Sequence, residues 1–247
     1  MPPYRTRREG GTDTIIERST HESMIPFAPV VFADDFLGAD TVIPAAGSPE
    51  SGMKWVTKLV QTAGTPTAAV KADTVNGVVE CALDSTSEKQ GAEVYMNDEL
   101  QFSIAQGLVF EARFALSVLP TLAAEFVIGL VSAWADGLDG TTYNVIVTCD
   151  GGGLITCEKD DNATDESASS GVTLTASEYA IVRIDCSTAA DIKFYVNGAR
   201  VAGSTTFDWA ASAANSKVQP IFGLYKASGA GVGTCLVDYV KIWQNRS

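Results

Sequence analysis

The stretch DIKFYVNGARVAG at residues 191–203, followed by KVQPIFGLYKASGAGVGTCLVDYVKIW at residues 217–243, decides the fold. Asn197-Gly198 stands between two apolar runs, and a two-residue turn there needs positive φ at both positions, which Asn and Gly tolerate best. A hairpin is therefore expected through this pair. Two longer strands follow, separated by the glycine-rich turn ASGAGVG. Nothing in this region repeats with the 3.6-residue period of a helix.

Working outward, strand-like segments recur at short intervals from Val30 onward: VVFADDF, MKWVTKLV, VVECAL, EVYM, LVFEARFAL, EFVIGLVSA, YNVIVTC, LITCEK and YAIVRIDC precede the closing hairpins. In LVFEARFAL, Phe110, Ala112 and Phe114 share one face, while Val109, Glu111 and Arg113 share the other. In IVRIDC, Val182, Ile184 and Cys186 oppose Arg183 and Asp185. Such alternation is expected of antiparallel strands with one covered face. EFVIGLV is apolar almost throughout, which places it centrally or beneath a second layer. FDWAASAAN (207–215) has room for a turn or two of helix, and DDNATDES reads as a solvated loop. The expected fold is all-β, an antiparallel two-sheet β-sandwich over residues 30–247, with an extended N-terminal arm over residues 1–29.

The chain has 247 residues, 46% of them hydrophobic, which suffices for a substantial core. Its formal net charge is −13. The arm is neutral, with Arg5, Arg7, Arg8 and Arg18 against Glu9, Asp13, Glu17 and Glu22, so the body carries the whole excess. A surface of that sign repels phosphates, so nucleic acid is not an expected partner. No apolar run reaches the length of a membrane-spanning helix, and MPPYRTRREGG lacks the apolar core of a secretory signal, so no membrane association is expected. Five cysteines lie scattered without C-x-x-C spacing and are expected to be reduced, buried thiols. A hairpin through residues 150–153 would bring Cys149 and Cys157 together.

His21 is the single histidine and lies in the arm, which argues against Ser-His-Asp and Cys-His chemistry and against a histidine-rich zinc site. No catalytic residue and no metal ligand is assigned. Glycoside hydrolysis needs only a pair of carboxylates and is weighed separately.

FADDF at 32–36, the pair VFEARF and FVIGL, IVRIDC with IKFYVNG, and the closing LVDYVKIW resemble the strand series of the concanavalin A-like lectin/glucanase jelly rolls, a superfamily that includes laminin G-like modules. The resemblance covers residues 30–243 and implies a jelly-roll sandwich. Glucanases of that superfamily carry E-x-D-x-x-E on one strand. The nearest approach here, Glu158-Lys159-Asp160-Asp161-Asn162-Ala163, lacks the final glutamate, so the chain is expected not to be an enzyme. Lectins of that fold combine acidic and asparagine ligands to calcium with an aromatic platform. This points to Asp136, Asp139, Asp160 and Asp161 as loop residues for a glycan or Ca²⁺, with Trp55, Trp134, Trp209 and Trp243 as stacking candidates; no other cofactor is expected.

A sandwich without a catalytic set, carrying a short proline-punctuated arm, is similar to accessory proteins of tailed-bacteriophage virions, such as capsid decoration proteins and head fibres. That resemblance implies a virion structural protein, assembled in the host cytoplasm, self-associating and bound to capsid or other virion proteins. The arm would anchor it through Tyr4, Arg5, Arg7, Arg8, Ile15, Ile16 and Arg18. The alternative is a lectin-like adhesion module whose partners are glycans.

Overall fold

The computed structural model of the chain describes residues 4–9, 12–26, 28–37, 43, 55–121, 123–137, 140–211 and 213–246. The first eight-stranded sheet contains β4 (Val30–Asp34), β6 (Thr67–Val70), β7 (Val79–Leu83), β10 (Val109–Val118), β15 (Tyr179–Asp185), β16 (Lys193–Val196), β17 (Ala199–Val201) and β19 (Gly233–Gln244). Its order is β17-β16-β15-β10-β19-β7-β6, with β4 continuing beside the second half of β19. The second eight-stranded sheet contains β5 (Val56–Gln61), β8 (Gln90–Tyr95), β9 (Phe102–Ser103), β11 (Ala124–Val131), β12 (Asn144–Cys149), β13 (Leu154–Asp160), β14 (Asp165–Thr173) and β18 (Lys217–Lys226). Its order is β14-β13-β12-β11-β18-β8-β5, with β9 on the start of β18. Paired strands are antiparallel, and the two sheets enclose one principal core, so the chain is an antiparallel jelly-roll sandwich.

The core follows from strand alternation. Phe110, Ala112 and Phe114 of β10 face Phe126 and Ile128 of β11 across the sandwich, and the Phe114 and Phe126 rings stack at 4.8 Å. Burying one such ring contributes about 2 kcal/mol. All five cysteines are free and buried, as their scattering suggests. Cys149 and Cys157 are not cross-strand partners, since Cys157 stands opposite Val147, whereas Cys81 and Cys235 face each other directly.

The Asn197-Gly198 turn has φ of 48° and 74°, as the hairpin requires. His21 lies against it: a Cβ at Gly198 would come within 2.5 Å of His21 Nδ1. Gly198→Ala should therefore lower the unfolding free energy by about 2 kcal/mol, combining strain at positive φ with displacement of His21. An unchanged urea midpoint would show that the turn tolerates a side chain.

The arm forms a third, three-stranded antiparallel sheet, β1 (Tyr4–Glu9), β2 (Thr12–Glu17) and β3 (Ser23–Pro26). The first sheet explains how its end is held. Lys241, Glu111, Arg183 and Tyr195 form one cross-strand rung over β19, β10, β15 and β16, on the face turned away from the core. Ser23 donates from N and Oγ to Glu111 at 2.9 and 2.6 Å, Tyr239 Oη donates to Glu111 at 3.1 Å, and Lys241 Nζ donates to Glu22 at 2.5 Å. Thr14, Ile16, Ser23 and Glu111 are all buried. The face that alternation assigns to solvent is thus covered, and the arm's end finds its partners on its own sandwich.

Candidate functional site

The second sheet offers a different outward face, and strand register fixes its composition. One rung runs Lys58, Glu93, Gly223, Val127, Thr148 and Thr156 across β5, β8, β18, β11, β12 and β13. The next runs Val56, Tyr95, Ile221, Gly129, Ile146 and Glu158. A third places Gln219, Val131, Asn144 and Asp160 side by side. Val56, Tyr95, Val127, Val131, Ile146 and Ile221 form a second apolar cluster here, with Trp134 and Tyr225 packed against it. This accounts for the unbroken apolar run of β11, which sits fourth of the seven strands in the sheet order and is covered on both faces.

The cover is the segment 132–137 after β11. Trp134 Nε1 donates to the Glu93 carboxylate, Trp134 N donates to Asp98 Oδ1 at 2.7 Å, and Asp136 pairs with Lys89. Lys58 Nζ lies 4.5 Å from the centre of the Trp134 ring. Glu93 is fully buried and its Oε1 has no hydrogen-bond partner. Burial pushes the Glu93 carboxyl up to about 7, against the opposing Trp134 bond.

Beyond the Gln219–Asn144 rung, a pocket of about 310 Å³ is lined by Leu100, Ser132, Ala133, Thr142, Tyr143, Ala214, Asn215 and Lys217. Among the described residues, four separate segments build it. Residues 132–133 and 142–143 are the two ends of the β11–β12 connection, held by Ser132 N donating to Tyr143 O at 2.8 Å. Lys217 opens β18, and Ala214 and Asn215 belong to a short 3₁₀ turn within the segment where one or two helical turns are expected. Trp209 braces this segment: its ring lies 6.2 Å from that of Tyr143 and its Nε1 donates to Ser216 Oγ at 3.1 Å.

Asp161 secures the same segment. Its Oδ2 accepts Ala210 N at 2.8 Å, and its Oδ1 accepts Ala163 N, Thr164 N and Thr164 Oγ1. The buried Lys159 ammonium lies 3.5 Å from Asp161 and 3.4 Å from Glu166. Burial works against the Asp161 charge, yet the backbone N–H groups and Lys159 hold its carboxyl at about 2. Asp161 therefore positions the pocket wall.

Of the other acidic candidates, Asp160 ends β13 beside Asn144 and accepts Asn162 N at 2.7 Å. Asp136 is committed to Lys89, and Asp139 lies outside the described residues. Among the described residues no group of three or more His, Cys, Asp or Glu is placed to hold a metal ion. Trp55, Trp209 and Trp243 are buried, leaving Trp134 as the more accessible of the four. Tyr4, Arg5, Arg7 and Arg8 lie on β1, Ile15 and Ile16 on β2, and Arg18 just after it; Ile16 is buried and Arg18 exposed. Sequence reasoning missed Glu93 and Tyr143, which stood in strand segments without a spacing that marks a site.

Asp160 belongs to strand β13 rather than to the loop, and Glu158 and Asp160 share the strand's outward face. The second glutamate of the glucanase pattern would stand at 163, but the strand has ended and Ala163 lies in the turn that Asp161 caps. Glu93 lies four strands from Glu158, about 19 Å at the spacing of paired strands. That is well beyond the separation of a glycosidase carboxylate pair, about 5–10 Å.

With a two-sheet jelly roll and an outward face covered by a loop, comparison with solved structures becomes informative. A β-1,3-glucanase from Mycobacterium marinum matches with a TM-score of 0.57 at 18% identity, covering 88% of this chain and all of that one (100%). The chain has a glucanase-like jelly-roll fold. A family 16 glycoside hydrolase from the mixed-linkage glucan locus of Bacteroides ovatus, in complex with an oligosaccharide product, matches with a TM-score of 0.58 at 13% identity, covering 85% and 99%. A pseudo β-1,3-glucanase and immunostimulatory antigen of Mycobacterium tuberculosis matches at 0.55 and 15% identity, covering 87% and 98%. No protein-family model and no curated protein sequence matches the chain.

These comparisons correct the expectation of a bacteriophage capsid decoration protein. The similarity to virion proteins rested on the pairing of a plain sandwich with an arm, whereas the jelly roll itself matches glucanase-type folds.

Proposed function

We propose that this chain is a carbohydrate-binding protein that uses the pocket at the end of the second sheet without hydrolysing its ligand. The carrying observation is the lining of that pocket: Tyr143, Ser132, Thr142, Asn215 and Lys217 border about 310 Å³ together with Leu100, Ala133 and Ala214. Sugars present apolar ring faces and directional hydroxyls, so an aromatic ring with several polar groups is the chemistry that recognises them. The volume lies at the lower end of small-ligand sites, which suits one or two sugar rings. The absence of a second glutamate at 163 and the wide separation of Glu93 from Glu158 support binding over hydrolysis.

A glycan array on the purified chain should give reproducible hits, and those ligands should release no reducing ends on prolonged incubation. Tyr143→Ala should weaken the hits at least tenfold while the variant still unfolds in one cooperative thermal transition. An array without hits would reject the reading, and release of reducing ends would reject its non-hydrolytic part.

A further inference from the structure

Lys217 is exposed at the first residue of β18 and lines the pocket. Among the described residues the other lysines are committed within the chain. Lys71, Lys89, Lys193 and Lys241 pair with Glu80, Asp136, Asp191 and Glu22; Lys58 lies over Trp134; Lys159 and Lys226 are buried in hydrogen-bonded sites. Among those residues the Lys217 ammonium has no ion-pair or hydrogen-bond partner. Among the described residues no carboxylate lines the pocket, although the chain as a whole carries a net charge of −13. A local cation therefore marks the mouth of a pocket set in an otherwise acidic protein. Around it, Ser132, Thr142 and Asn215 supply groups for neutral hydroxyls, and none of them adds a second full charge.

We propose that the pocket selects an acidic sugar, a hexuronate unit whose carboxylate pairs with Lys217 Nζ while the ring rests against Tyr143. The proposal rests on the carbohydrate-binding reading of this site. A charge-assisted N–H···O bond is stronger than a neutral one, and a single carboxylate on the sugar distinguishes a uronate from its parent hexose. The acidic body repels polyanions at long range, so selectivity comes from the contact at Lys217 rather than from steering.

Calorimetric titration with tetragalacturonate, and with the same tetrasaccharide after reduction of its carboxyls to primary alcohols, tests this. The wild-type chain should bind the acidic form about tenfold more tightly, and that preference should shrink as salt rises from 50 to 500 mM, by screening. Lys217→Met should abolish the difference between the two forms, and Lys217→Arg should restore it. Equal affinity for both forms, or a preference that survives Lys217→Met, would overturn the acidic-sugar proposal and leave carbohydrate binding intact. If neither form binds and the glycan array is also blank, the underlying reading fails instead. The exposed position of Lys217 leaves the fold unaffected, which a thermal melt of each variant verifies.

Discussion

Lys226→Met should lower the unfolding free energy by about 4 kcal/mol. Lys226 closes β18 with its side chain fully buried, and its ammonium donates to three main-chain carbonyls: Asp84 O at 2.6 Å, Thr86 O at 2.8 Å and Gly231 O at 2.8 Å. It thereby ties the β7–β8 connection to the turn before β19, the glycine-rich turn of the closing hairpin. Methionine fills a similar volume but leaves three buried acceptors without a donor. Hydrogen bonds to a charged group contribute about 1.5–3 kcal/mol each, and relief of the buried charge returns part of that sum. That charge does carry a cost, since burial lowers the Lys226 pKa. Urea denaturation at pH 7 measures the net effect, and a loss below about 1 kcal/mol would show that water replaces the ammonium at little expense.

Glu93→Gln should remove a distinct pH dependence. Burial raises the Glu93 carboxyl from its ordinary value of 4.5 to about 7, so between those values the folded chain keeps a proton that the unfolded chain has released. Stability from this group is therefore intact below about pH 4.5, falls as pH rises, and stays reduced above pH 7. A shift of that size corresponds to about 3 kcal/mol. Trp134 Nε1 donates to Oε2, while Oε1 is buried without a partner, which makes Oε1 the natural seat of the proton. Glutamine keeps an acceptor for Trp134 and cannot ionise. The variant should match the wild type near pH 4.5 and exceed it by up to about 3 kcal/mol at pH 8. Glu111 is also raised by burial, so the wild-type curve alone mixes two groups, and the difference between variant and wild type isolates Glu93. Parallel stability curves from pH 4.5 to 8 would refute the assignment.

Some features are legible in the sequence alone. The Asn197-Gly198 hairpin, the alternating faces of β10 and β15, and the doubly covered β11 all follow from side-chain period and turn chemistry, which act over a few residues. β14 was not legible, because DESASSGVT alternates small polar residues on an edge strand and carries no apolar signal. Asp160 falls into the polar loop DDNATDES for the same reason: a strand end and a turn share composition. The pocket was invisible to spacing, since Leu100, Ser132, Tyr143, Asn215 and Lys217 come from segments that only strand order brings together.

By itself the sequence determined the strand series and the closing turns, because period-2 alternation and the need for positive φ are local. Which outward faces stay open was decided only by the tertiary structure. Ser23 reaches Glu111 across 88 residues, and Trp134 reaches Glu93 across 41. In both cases the covering group belongs to another segment, so alternation that marks Glu111 or Glu93 as outward cannot tell a solvated carboxylate from a buried one.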